Sequence, residues 1–371
     1  MPWATPTLKE VRSLVRDSIQ AYLPGADAMV PNSVLRVLSD NQGAVCHLTL
    51  QYVDWLALQL LPDTAEQEWL DRHGDIWLVN ADGSTGRKAA SFSTGTVALT
   101  GVAGTVVPAN TQLNYGSTQA GYETTSFVTL AQSQADTPVP VQALVPGSAG
   151  NLDSGAMLSV VTPVDGLDGT ATVVALETGT DEETDDDLRI RVLERIRQPP
   201  MGGANYDYVA WAKAVNGVTR AWANVEMGIG TVTVRFMCDQ LRANSNAGFP
   251  LASDVEAVTN YVNFKRPVTV KDTFVFGPIP QPIDVKIAGL NPNDEATRAA
   301  VHQSLLGMLY LRAAPGQTIF SAWKYYAIMS VANVISFDLQ DSSDDVMPSI
   351  GHMAVLRNVF YDAGTILSIT S

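Results

Sequence analysis

Cysteine, histidine, basic charge and long apolar runs are all scarce in this chain, and each shortage excludes something. The 371 residues hold two cysteines, Cys46 and Cys238, far apart in sequence. That is no disulfide framework. Both are expected as buried free thiols, and a reducing compartment during folding is compatible with them. None of the four histidines, His47, His73, His302 and His352, pairs with another His or a Cys at metal-ligand spacing. His47 adjoins Cys46, but successive helical residues point about 100° apart and do not share a metal easily. No HExxH, GxSxG or P-loop motif occurs. Gly95, Gly101 and Gly104 fall among β turns rather than before a helix, which argues against a phosphate cradle. No cofactor or metal is therefore expected.

Lys and Arg number 23 against 38 Asp and Glu, a net charge of −15. No long segment is net basic, so a nucleic-acid partner is not expected, nor is docking on an anionic membrane surface. No apolar run reaches membrane-spanning length, so membrane insertion is not expected. The opening Met1-Pro-Trp-Ala-Thr-Pro6 has neither a charged n-region nor an apolar h-region, so folding in the cytoplasm is the expectation.

Apolar residues make up 46% of the chain, enough for several cores. Residues 1–80 read as helical. Leu8, Val11, Val15, Ile19 and Tyr22 recur at helical steps before Pro24-Gly25. A second helix starts after Pro31, capped by Asn32 or Ser33, and can run to Leu61. Leu38, Val45, Leu48, Tyr52 and Trp55 follow heptad-like spacing, with Asn41 as the polar position. About 30 residues would span roughly 45 Å, long for so small a domain. The seam is read as an interaction surface for another chain, or as the inner face of a hairpin with the first helix. Thr64 and Gln67 are expected to cap a third helix bearing Trp69 and Leu70.

Residues 81–175 hold two basic and six acidic residues, too sparse for a confident catalytic cluster. Short Thr/Val runs bounded by Gly and Pro read as antiparallel β. Residues 176–276 read as α+β. A helix on Tyr208, Trp211, Ala212 and Val215 precedes two strands joined at Gly228-Ile-Gly230, then a helix on Val255, Val258 and Val262, then a strand near 268–275. A small antiparallel sheet with helices on one face is expected. Residues 277–371 echo that order weakly, with Val215-Asn-Gly-Val218 and Val331-Ala-Asn-Val334 at similar helix-to-strand junctions. Asp341–Asp345 reads as a solvated turn, since the ligand spacing of an EF-hand is absent. The expected fold class is multidomain α+β: a helical region at 1–80, an antiparallel β domain at 81–175, then one or two small α/β sandwich domains over 176–276 and 277–371.

The densest charge lies in Asp181–Arg191, where every position from Asp181 to Asp187 except Thr184 is acidic. Such a run could hold a metal or catalytic carboxylates. Its layout favours structure instead. Thr184 and Asp187 have capping spacing, Leu188, Val192, Leu193 and Ile196 share a face, and Arg195 and Arg197 close the helix in keeping with its dipole.

Taken together, these segments resemble the baseplate J-like family, wedge subunits of contractile phage tails. Glu183-Thr-Asp-Asp-Asp-Leu-Arg189 with Arg191 resembles the family's acidic-then-Leu-Arg pattern. Gly202-Gly203, Tyr208, Trp211-Ala212 and Val215-Asn-Gly-Val218 continue it. Gly104-Thr-Val-Val-Pro-Ala-Asn-Thr111 looks like the family's turn, with Asn110 in place of Gly, a residue that tolerates a left-handed backbone. Thr184, Asp187, Leu188, Arg189, Arg191, Tyr208 and Trp211 are carried over as structural motif positions, with no catalytic site. The resemblance implies a non-enzymatic virion protein of the tail baseplate, assembled in the bacterial cytoplasm. It would form a ring around the hub and spike with copies of itself and other wedge subunits. It would also meet the sheath initiator, connect indirectly to tail fibres, and relay host binding to sheath contraction. The alternatives are a tail-associated polysaccharide hydrolase and a receptor-binding tail protein.

Overall fold

The computed structural model describes residues 4–116, 120–131, 136–242, 246–268, 270–340, 345–361 and 366–368. The chain divides into two units. One comprises residues 1–78, 85–87 and 184–197; the other comprises 79–84, 88–183 and 198–371.

The first unit is helical. α1 (Leu8–Tyr22) starts at a reciprocal cap in which Thr7 and Glu10 satisfy each other's backbone N–H. α2 (Val34–Gln59) is capped by Ser33, whose hydroxyl accepts from Arg36 N at 3.2 Å. Arg12 lies against Gly43, Arg16 pairs with Asp40, and Thr5 donates to Asp54. As α1 numbers rise, α2 numbers fall, so the two form an antiparallel hairpin. A Cβ at Gly43 would lie 2.9 Å from Arg12 Cγ and 3.1 Å from its Cα, so glycine permits the close approach. α3 (Gln67–Trp77) lacks the expected Thr64 cap. Its N-cap is Glu66, without a side-chain cap bond, and Thr64 donates to Leu58 O instead.

α4 (Asp185–Arg197) completes this unit. Sequence reasoning placed it within residues 176–276, but it packs against α3. Ala65, Leu70, Leu78, Leu188 and Val192 form one buried cluster with Trp69. Ile196, expected on the same face, is exposed.

The second unit begins with β1 (Thr94–Gly101), β2 (Val106–Val107), β3 (Gln112–Tyr115), β4 (Ala120–Thr124), β5 (Val128–Thr129), β6 (Thr137–Ala143), β7 (Met157–Val160) and β8 (Leu167–Leu176). Six of them close an antiparallel barrel in the order β1-β6-β4-β3-β7-β8, and β2 pairs with β5. Inward residues such as Val97, Leu99, Leu113, Tyr122, Val139 and Leu158 fill it. Closure removes edges that would otherwise pair with other chains. Asn110 takes φ 63°, as the turn requires.

The middle region holds α5 (Asn205–Ala214), β9 (Arg220–Asn224), β10 (Thr231–Met237), α6 (Ala252–Lys265) and β11 (Asp272–Phe276). The sheet runs β11-β10-β9. It is mixed rather than antiparallel as expected. β9 and β10 form the hairpin, but β11 returns parallel to β10 because α6 carries the chain back along the sheet. Tyr208 and Ala212 of α5 and Val258 and Val262 of α6 cover Val234, Phe236 and Val275, so both helices lie on one face.

The C-terminal region holds β12 (Ile279–Asn291), α7 (Glu295–Arg312), α8 (Ser321–Met329), β13 (Ser336–Leu339), β14 (His352–Tyr361) and β15 (Ile366–Ser368), with sheet order β13-β12-β14-β15. In both sheets a central strand has an antiparallel neighbour on one side and a parallel one on the other. The helix and antiparallel edge strand precede the central strand in the middle region and follow it here. The echo seen in the sequence is therefore one of architecture with a permuted order. The turn expected at Asp341–Asp345 falls outside the described residues apart from Asp345, which accepts from Ser321 N at 2.8 Å.

Three arginines join the parts of this second unit. Arg242, 1% exposed, forms a two-bond pair with Asp254 at 2.8 Å and reaches the Glu177 carboxylate at 2.9 Å just beyond β8. Arg220 pairs with Asp239, donates to Tyr310 O at 3.0 Å and lies 4.7 Å from the Tyr310 ring. Arg235 pairs with Glu226 at 2.7 Å and donates to Gly277 O. These polar ties link the barrel, the middle region and the C-terminal region, and each guanidinium keeps its donors satisfied.

Candidate interaction surface

The seam residues of α2 separate by exposure. Leu38, Val45, Leu48 and Tyr52 are exposed by 54–67%, and Val34 and Val37 continue the stripe toward the N-terminus. The face that meets α1 is a different one, carrying Ser39, Asp40 and Gly43. The hairpin with α1 therefore forms without covering the seam. Asn41 is exposed on the helix as well. Trp55 is half-buried: its ring stacks on Tyr52 at 5.6 Å, and its Nε1 donates to Glu66 at 3.0 Å. Between Asp40 and Asp54 the helix carries no acidic or basic residue apart from His47. The result is a long apolar strip in an acidic chain. Cys46, expected as buried, is exposed on this helix, while Cys238 is buried and its thiol pKa is raised by desolvation.

The motif positions sit at helix ends and in cores. Thr184 Oγ1 accepts from Asp187 N at 3.2 Å and donates to the Asp187 carboxylate at 2.8 Å. Asp185, Asp186 and Asp187 occupy the first turn of α4, where carboxylates are favoured by the helix dipole. Arg189 donates to Pro62 O, Ala65 O and Asp186. Arg191 is partly buried on the same helix. Leu188 is fully buried. Leu188→Ala is expected to cost about 2–5 kcal/mol, read as a lower denaturation midpoint; a cost under about 1 kcal/mol would contradict this packing. Tyr208 is fully buried and meets Trp211 edge-on at 4.8 Å. Burial raises the Tyr208 phenol pKa.

Asp207, one residue before Tyr208, was not singled out from sequence. Its buried carboxylate accepts from the backbone N–H groups of Met201, Gly203 and Ala204 at 3.2, 2.7 and 3.0 Å. It thereby fixes the turn from Pro199 to Gly203. Asp207→Ala leaves these donors without their acceptor, at an expected cost of about 2 kcal/mol, and a melting temperature unchanged within error would rule this out. The Asn-Tyr-Asp spacing at the start of α5 was a readable signal, because an N3 acid commonly caps a helix.

Among the described residues no group of three or more His, Cys, Asp or Glu side chains could hold a metal ion. No described helix is long and apolar enough to cross a membrane. Several acids serve as caps or arginine partners, among them Asp187, Asp207, Asp239 and Asp254.

Comparison with known proteins matches two family models. Residues 96–181 match the Baseplate J-like protein barrel domain, and residues 200–276 match the Baseplate J-like central domain. The Mu-like prophage FluMu protein gp47 of Haemophilus influenzae is 30% identical over 373 residues, covering 97% of this chain and 99% of that protein. The Baseplate protein gp47 of Escherichia phage Mu is 28% identical over 351 residues, covering 92% and 94%. Among solved structures, a chain in the 6-fold symmetrised cryo-EM structure of the anti-feeding prophage baseplate aligns over 95% of this chain and 99% of its own, with TM-score 0.46 and 11% identity.

Proposed function

The chain belongs to the baseplate J-like family and is a structural baseplate protein, and from that premise we propose that it is a wedge subunit whose exposed α2 seam joins it to its neighbours. The observation that carries the proposal is the strip of Leu38, Val45, Leu48 and Tyr52, left exposed by a hairpin that uses the other face of α2. An apolar helical strip of this kind suits helix-against-helix assembly. The partners proposed are further copies of the chain, another wedge subunit and the sheath initiator, in a ring about the hub, with tail fibres attached indirectly. The chain is assembled in the host cytoplasm and resides in the baseplate of the virion.

We also propose that it has no enzymatic activity. Support comes from the many acids engaged in caps and ion pairs and from the likeness to the Baseplate protein gp47 of Escherichia phage Mu and to the Baseplate J-like barrel domain. Rearrangement on host binding would then pass through whole units, a mode of switching by rigid bodies. The assembly role is tested by co-expressing the chain with the remaining baseplate components of its own gene cluster and isolating complexes by sedimentation. The wild-type chain is expected in a complex of several components. Recovery of the chain alone, with the other components assembled without it, would refute the wedge role.

A further inference from the structure

β11 starts at Asp272 opposite Thr231, the first residue of β10, and the two run parallel. The tip of the β9–β10 hairpin, residues 225–230, and the described residues of the connection from α6 to β11, 266–268 and 270–271, therefore emerge at the same end of the sheet. The Pro199–Gly203 turn joins them, since a Cβ at Gly203 would fall 2.9 Å from Pro267 Cγ. With the last turn of α6, these segments present Met201, Val225, Met227, Ile229, Phe264 and Val268. Each is more than half exposed, and Ile229 and Val268 are fully so. Single exposed apolar residues are ordinary, whereas a convergent group marks a contact surface.

The charge at this end runs against that of the chain. Lys265, Arg266 and Lys271 outnumber Glu226 and Asp272 along these segments. Glu226 is withdrawn into its pair with Arg235, where the two side chains are 7% and 9% exposed. The Lys265 ammonium lies 5.6 Å from the ring centres of Tyr261 and Phe264, so its charge sits on the apolar surface. What remains is an apolar tip with a basic edge, in a chain of net charge −15.

We propose that this end of the sheet docks onto an acidic face of a second copy of the chain, in a head-to-tail contact. The charge pattern selects that geometry. Against its own symmetry mate the tip would set basic edge on basic edge, whereas the excess acid of the chain lies elsewhere. A contact between different patches of identical chains closes into a ring or runs on as a filament. The inference rests on the baseplate reading and gives its copies a specific contact, separate from the α2 seam.

The test uses the full chain with Ile229→Asp and Val268→Asp combined, and separately Lys265→Glu with Lys271→Glu. Sedimentation velocity over a range of concentrations, at low and high salt, measures self-association, and circular dichroism checks folding. Wild-type chain is expected to self-associate more strongly at low salt. Both variants are expected to be folded and to associate at least about tenfold more weakly, and the charge-reversed variant is expected to lose the salt dependence. Wild-type chain that remains monomeric throughout, or variants that associate like wild type, would overturn the proposal. Flotation of wild-type chain with phosphatidylserine vesicles, lost in the variants while self-association is unchanged, would assign the tip to a membrane instead and also overturn it. Complementation of a nonsense mutant separates the two levels. Sheathed tails from the Ile229/Val268 variant remove this contact alone, and sheathed tails from the nonsense mutant itself remove the baseplate reading.

Discussion

Leu48→Asp combined with Tyr52→Asp is expected to abolish recovery of the chain in baseplate complexes while the isolated chain stays folded. Both side chains are mostly exposed, at 67% and 59%, so the isolated chain loses little packing, about 1 kcal/mol or less in total. In an assembled seam the same positions would bury two carboxylates among apolar side chains without partners, a cost of several kcal/mol. Binding should fall by about 100-fold or more. Assembly at wild-type yield would sink the seam proposal. A large drop in the melting temperature of the lone chain would show that the seam is already part of its own core. Trp55→Ala is the weaker probe, because its stacking on Tyr52 and its bond to Glu66 make it part of the chain's own packing.

The second large effect concerns Arg242. Arg242→Ala is expected to destabilise the chain by about 3–5 kcal/mol, as loss of one partner from a buried ion pair does. The cost falls chiefly on Asp254, whose side chain is 12% exposed and would be left without its two-bond partner; Glu177 is 39% exposed and can be solvated. Arg242→Lys should cost less, because it keeps the charge but loses the two-bond geometry. Urea unfolding of both variants and of Asp254→Ala measures the coupling. A loss below about 1 kcal/mol for Arg242→Ala would show that the barrel and the middle region do not depend on this tie.

How far the structure was legible depended on how local each determinant is. The caps at Ser33, offered alongside Asn32, and at Thr184 could be read directly, because a capping bond spans three residues. The hairpin at Gly228-Ile-Gly230 and the left-handed Asn110 were visible for the same reason. The direction of β11 was not, since a Val-rich run shows that a strand forms but not which way it pairs. The packing of α4 against α3 joins Leu188 to Leu70 across more than a hundred residues, and no local pattern encodes that partner. The heptad spacing on α2 showed an apolar stripe but left open whether α1 would cover it; the close approach at Gly43 turns α1 to the other face. Cys46 was expected inside because its neighbours are apolar, and it lies outside because those neighbours belong to the uncovered strip. The arginine ties gave no sequence signal, as their partners are remote and acids are common throughout the chain.

The central claim is that this chain is needed to build the baseplate. Electron microscopy of lysates from the phage, or induced prophage, carrying a nonsense mutation in the gene tests it most directly. Filled heads without sheathed tails are the predicted result. Complete sheathed tails in the absence of the chain would contradict it.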